Sequence, residues 1–137
     1  MRPLRISGTA VAAVLTIAAG CGGHSDSSAT SSAVRVNPSE VPAFHADRNA
    51  RAAVTVHACR IEPSGSWSMS GSIVNRHAVP AGYTLVVDFV TIPGSTVVDT
   101  SVIRVRDIQP GRIARWSTSG GGGNRRLACV LRYAQSG

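Results

Sequence analysis

The sequence contains no lysine: its fourteen basic residues, histidines aside, are all arginine, against seven acids. A glycine-rich phosphate loop needs a following Lys-Ser/Thr, so Gly120-Gly121-Gly122-Gly123 reads as a flexible loop between strands. Aromatic residues are scarce, two each of Phe, Trp and Tyr. That removes the stacking platform on which single-stranded nucleic acid is bound. No apolar run approaches the roughly 18 residues of a membrane-spanning helix. The four histidines show no i, i+2 or i+4 pair and no supporting cysteine or carboxylate cluster, so neither a metal nor any other cofactor is expected. No G-x-S-x-G elbow and no dinucleotide fingerprint occurs, and no catalytic residue is assigned. At 137 residues the chain is one small domain at most, too short for a multidomain enzyme.

The amino terminus is an address. Arg2 and Arg5 precede Val11-Ala12-Ala13-Val14-Leu15-Thr16-Ile17-Ala18-Ala19, which as a helix would cover roughly 14 Å, half a bilayer core. This length fits a cleaved signal peptide over residues 1–20. Ala18-Ala19-Gly20-Cys21 resembles the lipobox of bacterial lipoproteins, in which small residues precede a cysteine that is lipidated and becomes the mature amino terminus. The resemblance implies a protein held on the extracytoplasmic face of the cell membrane by lipid on Cys21, because two or three acyl chains anchor durably where one does not. A secreted protein without the anchor is the alternative.

Residues 21–50 read as a lipidated start followed by a flexible linker. Gly22 to Ser32 is rich in Gly, Ser and Thr, and Pro38 and Pro42 disfavour helix. Val41–His45 is the one apolar knot in this stretch; it is read as a spacer, with an added edge strand as the other possibility. Residues 51–137 form the domain. Short runs of Val, Ile, Thr and aromatics predict strands near 52–61, 67–75, 82–92, 96–106, 112–118 and 126–134. Trp67, Met69, Gly71 and Ile73 alternate with Ser68, Ser70 and Ser72, one buried face and one wet face. Tyr83, Leu85, Val87 and Phe89 repeat the alternation, while Val86 and Val90 imply a central strand covered on both sides. Leu127, Cys129, Leu131 and Tyr133 form a further inward set. The first and fourth strands change phase, as a bulge would produce. Strands at this spacing favour an all-β antiparallel sandwich or barrel.

Cys59 and Cys129 fall in an early and a late strand. In an exported protein they are expected to form a disulfide between the first and last parts of the domain, two buried free thiols being the alternative.

Cys59, Trp67, Gly71-Ser72-Ile73-Val74-Asn75, Tyr83-Thr84-Leu85-Val86-Val87-Asp88-Phe89, and Ile108-Gln109-Pro110-Gly111 before Trp116 resemble the FxLYD-type module of bacterial lipoproteins. In that family a G-x-φ-x-N strand end precedes a Y-x-φ-x-φ-x-F strand. The resemblance implies an immunoglobulin-like β-sandwich of six to seven strands, used as a non-enzymatic accessory or binding module.

Charge is the remaining clue. Residues 51–137 hold ten arginines against four acids, residues 22–50 two against three. Arg104 and Arg106 share a strand face. Arg112, Arg115, Arg125, Arg126 and Arg132 are expected to gather at one end, giving a candidate anion-binding surface for lipid head groups or an envelope polymer. Guanidinium groups suit bidentate pairing with phosphate or carboxylate. The expected function is to bind or present a ligand at the cell envelope without catalysis. The alternative is an accessory subunit docking an envelope protein through a sandwich edge or the Phe44 segment. Nucleic acid is not an expected partner.

Overall fold

The computed structural model describes residues 29–41 and 43–137, so the signal-peptide reading of 1–20 and the lipidation of Cys21 lie outside the described residues. The chain forms β1 (Thr30–Val36), a 3-10 turn (Pro38–Glu40), α1 (Arg48–Ala53), β2 (Val54–Ile61), β3 (Trp67–Val74), β4 (Ala81–Thr91), β5 (Val97–Ile108), β6 (Ile113–Gly120) and β7 (Leu127–Ser136). One sheet has the order β1-β5-β4-β7 and the other β2-β3-β6, with every pairing antiparallel. Leaving β1 aside, these match the A-B-E and C′-C-F groupings of immunoglobulin-like sandwiches.

The core follows the alternations. Met69 and Ile73 from one sheet meet Leu85, Val87, Phe89, Ile103 and Val105 from the other, all at most 1% exposed. Gly71 is required by packing: a Cβ there would meet the Thr55 carbonyl and the Trp116 ring. The β4 strand is covered on both faces, as Val86 and Asp88 are buried beside Val87 and Phe89. Bulges account for the phase changes. In β2 the pairing steps from Val56 to Ala58, leaving His57 over, and beside β4 it steps from Val97 to Asp99, leaving Val98 over. Cys59 and Cys129 are bonded, with their Cα atoms 5.8 Å apart. They join the edge strands β2 and β7.

Three expectations are corrected. Residues 30–36, read as linker, are strand β1, paired with β5 from Thr30↔Arg106 to Val36↔Thr100. The strand is almost wholly exposed. It is held by main-chain pairing, which covers the otherwise open edge of β5 and leaves no apolar pattern in the sequence. Residues 48–53, expected as linker and first strand, form α1. The Asp47 side chain caps this helix by accepting from Ala50 N at 2.9 Å. Tyr133 is not an inward residue. A register shift where β7 pairs with Val86 and Val87 turns it to the outer face, where Phe44 stacks on it at 5.8 Å between ring centroids. The Phe44 segment is thus neither free spacer nor added strand.

The register defines two ends. The proximal end, where β1 starts, carries α1, the β3–β4 and β5–β6 connections and the close of β7; the distal end carries the 62–66, 92–96 and 121–126 connections.

Candidate functional site: a hydroxyl-lined trough and a basic end

The two sheets differ by one strand, and the mismatch makes a trough. In β1, Ser31, Ala33 and Arg35 pair with Val105, Ile103 and Ser101, the core-facing residues of β5. The opposing sheet stops at β6, so nothing among the described residues covers these β1 residues. They wall two adjoining cavities of about 780 and 580 Å³ that share Ala33, Ser70 and Ser117. The outward serines of β3 and β6 contribute Ser68, Ser70, Ser72, Ser117 and Ser119, while His57, Arg60 and Arg115 add donors along the lining. Ser101 borders the same trough, with its hydroxyl buried and without a hydrogen-bond partner among the described residues.

The trough is laced at its distal end. Arg35 Nε lies 3.4 Å from Asp99 Oδ2 and donates to the Ser119 carbonyl, while Gly121 N donates to the same Asp99 oxygen at 2.9 Å. Arg60 pairs with Glu62 at 3.1 Å. The hydroxyl of Ser68, with Arg60 beside it, holds the Glu62 carboxyl below the usual range. His57 Nε2 and Ser72 Oγ are hydrogen-bonded at 2.9 Å. A nucleophile and base activated in this way need a third group to orient the base, and no carboxylate lies among the residues lining that cavity. Among the described residues no group of three or more His, Cys, Asp or Glu could hold a metal, and no helix is long and apolar enough to cross a membrane.

The candidate arginines do not form one cluster. Arg104, Arg106, Arg112 and Arg115 are exposed at or toward the proximal end, whereas Arg125 and Arg126 are exposed in the distal β6–β7 connection. Arg132 lies between, 3.6 Å from Asp88 and over the Tyr133 ring. Asp88 also accepts from Thr100 Oγ1 at 2.6 Å, so this acid belongs to a local network on the outer face. Arg48, Arg51 and Arg76 join the proximal set.

Asn75 builds the proximal end. It is 0% exposed, and its Nδ2 donates to the carbonyls of Val79 and Ile108 at 2.8 and 2.7 Å while Oδ1 accepts from His77 N. Its main chain bonds to Arg112 and Gly111. One side chain therefore ties the β3–β4 connection to the β5–β6 connection. Alongside, Asp47 accepts from Ser136 N and Oγ as well as from Ala50 N. These bonds lower its pKa to about 2.

The Gly71–Asn75 stretch was visible in the sequence as a strand ending, but its role as a clamp was not. The trough was invisible because its β1 wall reads as linker. The alternating Ser68, Ser70 and Ser72 were the only signal for it. Comparison with protein family models, with curated proteins and with solved structures gives no match.

Proposed function

We propose that the chain is a non-enzymatic, lipid-anchored binding module of the cell envelope, and that its trough takes a segment of an anionic, hydroxyl-rich envelope polymer. The observation that carries this reading is the trough itself, an open channel lined with serine hydroxyls, with guanidinium groups along it. Hydroxyls and carbonyls exchange hydrogen bonds with a polyol, and Arg115 offers a fork to phosphate or carboxylate. The lipobox-like Ala18-Ala19-Gly20-Cys21 supports the location, and the FxLYD-like core pattern supports an accessory rather than a catalytic role.

Titration with oligomeric glycerol phosphate, followed through backbone amide resonances, tests the ligand class. Shifts are expected at Ser70, Ser117 and Ser101, and Arg115→Gln is expected to weaken binding about tenfold. Absence of shifts in the trough, or an undiminished Arg115→Gln, rejects the reading. Covalent labelling of Ser72 by a phosphonate would reject the non-enzymatic part. Membrane fractionation of Cys21→Ser tests the anchor separately, with release from the membrane as the expected outcome.

A further inference from the structure

The proximal end has an uncompensated charge that the polymer-binding reading does not use. Arg76, Arg104, Arg106 and Arg112 are exposed there, and none forms an ion pair among the described residues. Arg35, Arg60 and Arg132 each have a carboxylate within 4 Å, whereas Arg125 and Arg126 at the distal end, like the proximal four, form no ion pair among the described residues. Two large apolar side chains stand out in the same place, Val79 at 63% and Ile113 at 54% exposure. Val79 sits on one of the two connections that Asn75 ties together, and Ile113 opens β6 directly after the other. Guanidinium groups flanking exposed aliphatic side chains make a surface suited to the boundary between lipid head groups and acyl chains, where charge attraction and shallow apolar burial add.

Chain length gives the second reason. Ala29 packs against the core and lines a cavity with Ile113 and Arg115, so the chain joins the domain at this end. Eight residue steps separate Cys21 from Ala29, and they span at most about 28 Å in any conformation. A lipid on Cys21 would keep the basic end within that distance of the bilayer.

We infer that the proximal end docks on an anionic lipid surface, its arginines against phosphate head groups and Val79 and Ile113 entering between them. The orientation relative to the membrane rests on the anchored reading; the lipid affinity of this end does not. Docked in this way, the domain leaves its distal end pointing away from the membrane.

Co-sedimentation with vesicles tests the inference on a chain beginning at Gly22. That chain holds every described strand, the described core and the disulfide, and it lacks the acyl site. Binding to phosphatidylglycerol in phosphatidylcholine is expected, with little binding to phosphatidylcholine alone and a fall from low to high salt. The combined Arg76→Gln, Arg104→Gln, Arg106→Gln, Arg112→Gln variant should bind on the order of a hundredfold more weakly. Val79→Ser with Ile113→Ser should bind several-fold more weakly. Arg125→Gln with Arg126→Gln should bind within about twofold of the parent, since those groups face away. Equal binding to neutral vesicles, an undiminished fourfold variant, an equal loss in the distal pair, or capture by soluble polyanion without vesicle binding would overturn the inference. Ile113 also lines the first trough cavity, but the fourfold arginine variant leaves the trough lining unaltered and Cys21 is missing from all of these chains, so failure of that variant is distinct from failure of the anchor or of the trough.

Discussion

The two ends of the sandwich are held by different chemistry. Toward the distal end the closure is covalent and ionic. Cys59 sits opposite Met69 and Cys129 opposite Phe89 in the ladders, so the disulfide lies in the distal half, near the Arg35–Asp99 and Arg60–Glu62 pairs. At the proximal end the closure is made by neutral and capping hydrogen bonds, from Asn75 to two connections and from Asp47 to α1 and β7. The distal half pairs Arg35 and Arg60 with acids and leaves Arg125 and Arg126 exposed, whereas the proximal end leaves Arg76, Arg104, Arg106 and Arg112 without ion pairs among the described residues while its loops are fixed by an uncharged amide. The proximal end needs no ion pair for its closure, so none of its exposed arginines is spent on holding its loops.

The largest test of this contrast removes the disulfide. The bond closes a sequence separation of 70 residues, and Cys59→Ala with Cys129→Ala is expected to lower unfolding stability by roughly 4 kcal/mol in the chain-entropy view. Hydrogen exchange should show the loss of protection beginning in the distal halves of β2 and β7, with amides around Asn75 opening last. Opening that starts at the proximal end would mean that the two ends are not independently closed. Asn75→Ala is the complementary experiment. It strips one buried carbonyl, one partly buried carbonyl and one amide of partners and should cost about 3 kcal/mol by denaturant titration. It should also weaken vesicle binding by scattering the two loops, leaving the polymer affinity of the trough little changed. Gly71→Ala acts between the ends. Its Cβ would collide with the Trp116 ring and the Thr55 main chain, and overpacking of this kind costs about 1–3 kcal/mol. Thermal denaturation should show a lower midpoint with both ends affected alike.

What the sequence displayed and what it concealed divides along the same physical line. Strands β3 and β4 were legible because burial of one face writes a period of two, Met69 and Ile73 against Ser70 and Ser72, or Leu85 and Val87 against Thr84. The disulfide was legible from two cysteines in strands far apart in the chain. Strand β1 was not, because its stability comes from backbone pairing with β5, and Ser31, Ala33 and Arg35 face open space rather than the core. Helix α1 has six residues, too few for a periodic signal, although Asp47 three residues before Ala50 is a capping signal that could have marked it. Tyr133 was placed on the wrong face because a one-residue shift in β7 inverts every side chain beyond it. The basic end escaped detection in its actual form because register, not composition, sends Arg112 to one end and Arg125 and Arg126 to the other.

The smallest expected effect separates the two ends by acid rather than by mutation. Asp47 has a folded pKa of about 2 against an ordinary 3.8, since the carboxylate accepts from Ala50 and Ser136 and these bonds favour its charged form. A depressed pKa means that the folded state binds its proton less readily than the unfolded chain. The contribution is therefore complete above about pH 5, declines as pH falls below the unfolded value, and is gone once pH passes through the folded one. Glu62 is displaced in the same direction by Ser68 and Arg60, so acid loosens the distal loop too, and global unfolding alone does not tell the ends apart. Amide resonances do. Those of Ala50 and Ser136 should titrate with an inflection near pH 2 in the parent and stay flat in Asp47→Asn, while the Ser68 resonance keeps its own titration in both proteins. An inflection at the ordinary carboxylate value for Ala50 and Ser136 would show that the cap on α1 is not made in solution. The proximal end would then rest on Asn75 alone.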